Sequence, residues 1–73
     1  MNSGGNGSVF RGVATALRAE CLAHDAGEFM GSEDELVARF GVSRPTFRQA
    51  AALVAEEQLL VIKRGVDVRA VVD

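Results

Sequence analysis

The chain has 73 residues, enough for one small domain with a compact core. It is 48% hydrophobic and 25% charged with a formal net charge of −2, which excludes a disordered polar chain and a uniformly basic one. No apolar run approaches the ~20 residues that span a bilayer, and the N-terminus lacks the layout of a secretory signal. One Cys cannot close an internal disulfide, and with one His it falls short of a metal site. The expectation is a cytoplasmic domain with no metal, no cofactor and no membrane contact.

The charge is polarised along the chain. Residues 20–35 hold six acids and no Lys or Arg, whereas residues 36–55 hold Arg39, Arg44 and Arg48 and no acid. Lys63, Arg64 and Arg69 then outnumber Asp67. A basic face can coexist with an acidic back.

Residues 1–8 (MNSGGNGS) read as a flexible tail, and residues 9–73 as the domain. Ser8 can cap a helix running to about residue 24, because Phe10, Val13, Leu17 and Cys21 fall at helical spacing. Asp25-Ala-Gly27 breaks that pattern. Ser32 and Glu35 then form a capping box for a short second helix with Leu36, Val37 and Phe40 on one face. Three acids suit the positive end of its dipole, and Gly41 ends it.

The third helix spans about residues 44–57, with Pro45 in its first turn and either Ser43 or Arg44 as its cap. Phe47, Ala50, Ala51 and Val54 form its buried stripe. Residues 60–64 and 68–72 are β-branched runs joined through Gly65-Val66-Asp67, which predicts a hairpin. Two helices about a Gly-containing turn, a third helix before them and a trailing hairpin predict a mainly α winged helix-turn-helix of three helices and a two-stranded wing.

The outer face of the third helix carries Pro45, Arg48, Gln49 and Ala52, with Arg44 and Thr46 flanking it. Those residue types suit a duplex groove. Arg44 and Arg48 can fork onto guanine or bind phosphate, Gln49 can read adenine, and Ser43 and Thr46 can bond phosphates. Arg39 at the end of the second helix can touch the backbone, and Lys63, Arg64 and Gly65 stand at the wing.

The run S-E-D-E-L-V-A-R-F-G-V-S-R-P-T-F-R-Q-A over residues 32–50 resembles the helix-turn-helix of GntR-type bacterial transcriptional regulators. Their usual pattern there is S-E-R-E-L-A-x-x-F-G-V-S-R-x-T-V-R-E-A-L. The resemblance continues into the hairpin and is strongest over residues 32–50. It implies a winged helix that binds palindromic operator DNA as a homodimer, usually fused to a C-terminal domain that senses a small-molecule effector. The chain is then expected to be a fragment, monomeric or weakly associating, without an effector site. In the FadR-like branch, DNA is read by residues matching Ser43, Arg44, Thr46, Arg48 and the wing's Arg64-Gly65. Four positions depart from the pattern: Asp34 stands where Arg or Lys is common, Gln49 for Glu, Gln58 for Gly, and Asp67 for the second wing Gly.

Other chemistry is poorly supplied. Cys21 and His24 stand three apart but are two ligands, too few for a metal. His24 and Asp25 with Ser32 or Ser43 lack a nucleophile elbow and an oxyanion site, so no enzyme is expected. The competing function is a winged-helix module that binds protein instead of DNA, which the net charge and an exposed Leu53 would favour. The two readings part on one observation. A coherent cationic patch over Arg39, Arg44, Arg48 and Arg64 favours DNA; side chains that point apart, or that pair with Glu33 and Glu35, favour the module.

Overall fold

Over the residues that the computed structural model describes, 5–71 with side chains over 9–71, six elements follow in chain order. They are α1 (Gly5–Ala23), β1 (Phe29–Ser32), α2 (Glu33–Phe40), α3 (Arg44–Glu56), β2 (Leu60–Lys63) and β3 (Asp67–Ala70). The strands form one antiparallel sheet in the order β1-β3-β2. This is a winged helix with one strand more than the sequence predicts.

α1 begins at Gly5, so Ser8 lies inside the helix and is not its cap. The first four residues of the expected tail fall outside the described residues. Val13, Ala14, Leu17 and Cys21 are buried along one side of α1, as their spacing requires. That side packs on α3.

β1 is the strand that the sequence reading missed. It has four residues, one of them Gly31, and none is β-branched. Its pairing with β3 slips between Phe29 and Gly31. Gly31 sits there at φ +141, and a Cβ on it would stand 3.3 Å from Glu35 Oε1 and 3.6 Å from the Leu36 side chain. Glycine suits the site on both counts: it takes that backbone angle freely and lets the strand close on α2.

The helix-turn-helix forms as its caps dictate. Ser32 Oγ accepts from the Glu35 N–H at 3.1 Å, and Glu35 Oε1 accepts from the Ser32 N–H at 2.8 Å. Gly41 closes α2 in the left-handed region at φ 67, donating to the Ala38 carbonyl, while the Val42 N–H reaches back to Val37. That pair of bonds is a Schellman stop. Ser43, not Arg44, caps α3. Buried Leu36 and Phe47 join Leu17, Cys21, Val54 and Val68 in a single core. Leu53 is half-buried against that core and is no exposed apolar anchor.

The wing is β2 and β3, paired Leu60↔Ala70 through Lys63↔Asp67. Arg64 and Gly65 leave the strand at φ 58 and φ 74, and the Val66 N–H donates to the Lys63 carbonyl at 3.1 Å. Two successive positive φ values have the sign pattern of a type I′ turn. Asp67 therefore opens β3 and is not part of the turn. β3 ends at Ala70, and Val72 lies outside the described residues.

Gln58 follows α3 at φ 64, with its N–H on the Ala55 carbonyl and the Leu59 N–H on Val54. This is the same stop as at Gly41, made with a residue that carries a Cβ. Gln58→Gly should raise stability by about 0.5–1 kcal/mol, or a few degrees in melting temperature. Thermal unfolding by circular dichroism checks this, and an unchanged or lower midpoint counts against a strained stop.

Candidate nucleic-acid interface

The apolar stripe of α3 turns Phe47, Ala50, Ala51 and Val54 inward. Helical geometry then puts Pro45, Arg48, Gln49 and Ala52 on the solvent side, where all four are exposed. Ser43 and Thr46 mark the helix start. Ser43 Oγ accepts from the Thr46 N–H at 3.3 Å and donates to Thr46 Oγ1 at 2.9 Å. The amino end of α3 thus presents two hydroxyls and the positive end of a helix dipole to solvent.

Arg44 and Arg48 do not stand free. Both reach Glu33, the first residue of α2, which is only 3% exposed. Arg44 donates from Nη1 to Glu33 Oε1 at 2.7 Å and from Nη2 to Asp34 Oδ1 at 2.5 Å. Arg48 donates from Nε to Glu33 Oε2 at 2.9 Å and from Nη2 to Oε1 at 3.2 Å. The hydrogen bonds from Arg48 and then Arg44 hold the Glu33 carboxyl below its ordinary range, against the upward push of burial. Asp34 first, then Glu33, pushes the Arg44 guanidinium up, and Glu33 does the same to Arg48.

Glu33 also anchors the wing. Its backbone N–H donates to the Val66 carbonyl at 2.7 Å. One residue therefore ties α2, α3 and the wing turn together.

The remaining cations go separate ways. Arg39 is bonded to Glu20 of α1 and lies over the Phe40 ring at 5.6 Å, so it does not extend the patch as expected. Arg69 donates to the Gly27 carbonyl at 3.1 Å and covers Phe29. Lys63, Arg64 and Gly65 are exposed at the wing, and the two cations enter no ion pair among the described residues. The continuous, uncompensated ridge expected from Arg39 through Arg64 is absent. In its place are a charge-balanced cluster on α3 and a cationic wing turn.

Sequence reasoning named Glu33 only as a partner that would favour the protein-binding module, not as a buried residue at the centre of the site. Its signal was present, because Glu33 precedes Leu36, Val37 and Phe40 by three, four and seven residues and so shares the apolar face of α2. An acid on that face needs a buried partner.

Residues 11–69 match the family model described as bacterial regulatory proteins, gntR family. The match spans α2, the turn, α3 and the hairpin. No curated protein and no solved structure matches the chain. No helix among the described residues is long and apolar enough to cross a membrane.

Glu33→Gln should cost about 1–3 kcal/mol near neutral pH, because charge-assisted bonds to a buried acceptor are lost. A carboxyl with a depressed native pKa stabilises the fold above its unfolded value, and that contribution fades as pH falls through the native one. The gap between wild type and variant should be widest near neutrality and close below about pH 4. Urea unfolding of both proteins across that range checks it, and a gap that stays constant with pH contradicts the role of the charge.

Proposed function

Because the chain belongs to the gntR family of bacterial regulatory proteins, whose domain is a DNA-binding one, we propose that it reads operator DNA with α3 in the major groove. The observation that carries this reading is the α3 surface. Its amino-terminal half presents Ser43, Arg44, Thr46, Arg48 and Gln49 outward, while the opposite side is locked in the core. In this assignment Arg44 and Arg48 contact guanine or phosphate, Gln49 reads adenine, and Ser43 and Thr46 bond phosphates. Arg64 and Gly65 bring the wing to the backbone, with Lys63 beside them. Arg39, held on Glu20 with a side chain 53% exposed, contacts the backbone apart from the α3 cluster.

Taken alone, pairing with Glu33 favours a protein-binding module. Membership of a family of DNA-binding regulators weighs against that reading. The chemistry is also compatible with DNA. The Arg44 and Arg48 side chains remain 43% and 61% exposed, and each guanidinium has N–H groups not spent on carboxylates. The family resemblance extends the proposal to a homodimer on a palindromic operator in the bacterial cytoplasm, with a small-molecule effector bound on a further domain.

Selection from random duplexes should return a preferred site whose affinity falls steeply with salt. Arg44→Ala should then lose roughly tenfold or more and relax the preference at one position, whereas Arg64→Ala should weaken all sequences alike. Unchanged affinity and preference in Arg44→Ala would refute the major-groove assignment.

A further inference from the structure

Arg44 bridges two carboxylates of different character. Glu33 is 3% exposed and shared with Arg48, whereas the Asp34 side chain is 80% exposed and bonds Arg44 alone. Removing Arg44 from Glu33 would strip a buried anion of a partner, while removing it from Asp34 returns an exposed carboxylate to water. The two arms of the bridge therefore differ in how readily they open, and the Asp34 arm is the labile one. Asp34 also sits in the first turn of α2 beside the amino end of α3, the surface that would meet phosphates.

From these observations, and resting on the reading of α3 as the DNA-contacting helix, we infer that Asp34 attenuates DNA binding by competing for Arg44. In free protein its carboxylate occupies Arg44 Nη2, which a base edge or phosphate must take over. Once displaced, that carboxylate stays close to the duplex and repels it. Both effects lower affinity. The repulsion acts on any duplex, and the competition acts wherever Arg44 takes a base edge or a phosphate, so Asp34 lowers affinity for selected and scrambled duplexes in the same direction. Arg44 keeps its Glu33 bond throughout, so the guanidinium is released on one side without losing its position.

The test compares wild type, Asp34→Asn and Glu56→Gln, using the site selected with wild type and a scrambled duplex. Asp34→Asn removes the charge with little change of shape, and Glu33 and Glu35 remain in the first turn of α2. Glu56→Gln removes one charge from the far end of α3. Asp34→Asn should bind both duplexes about five- to tenfold more tightly at about 50 mM salt, with a log–log salt slope steeper by about one. Glu56→Gln should change affinity less than about twofold, because exposed charges beyond a Debye length are screened. Equal gains in the two variants, or no gain in Asp34→Asn while wild type binds its site, overturn the inference and leave the DNA reading intact. Failure of both wild type and Asp34→Asn to bind any duplex overturns the two together.

Discussion

A carboxylate taken almost wholly out of water has to be partnered, and Glu33 obtains its partners from α3. Arg44 and Arg48 stand four residues apart, one helical turn, so both guanidinium groups reach the same acid. The backbone of Glu33 meanwhile holds the carbonyl of Val66. One residue therefore joins the shared core and the β1–β3 pairing in setting α3 against α2 and the wing turn against both. Long, flexible arginine side chains are ordered by this pairing, which on the proposed reading reduces the entropy lost when they engage a base.

That order has an electrostatic consequence. Arg44 and Arg48 with Glu33 and Asp34 sum to zero charge, so the recognition helix contributes shape and donors more than net potential. Near α3, positive charge outside any ion pair among the described residues lies at Lys63 and Arg64 on the wing and in the dipole at the start of the helix, while Arg11 on α1 and Arg69 on β3 are likewise unpaired with acids. On the proposed reading, long-range attraction to a polyanion falls to the wing, and short-range readout to α3. This division reconciles a net charge of −2 with a nucleic-acid surface.

What the sequence revealed was governed by local rules. The Ser32–Glu35 box, the Gly41 stop, the Ser43–Pro45 start and the alternation of the hairpin each depend on neighbours within a few residues. They placed α2, α3 and the wing to within a residue or two. β1 escaped because its pairing with β3 is long-range, and its composition of Phe29, Met30, Gly31 and Ser32 has no strand signature. Exposed positions on α3 followed from the helical wheel. The ion pairs of the arginines on α2 and α3 did not, because Glu33 lies eleven residues before Arg44 and Glu20 nineteen before Arg39. Only the acid on the apolar face of α2 hinted that the arginines had an internal partner.

On the proposed reading, the surface organised around Glu33 is the one that meets DNA. Amide chemical-shift mapping during titration with a duplex at low ionic strength tests it most directly. The largest shifts should fall over residues 43–49 and 63–65, with α1 and the β1 edge little changed. Shifts confined to α1 and β1, or residues 43–49 left unmoved by excess duplex, would contradict it.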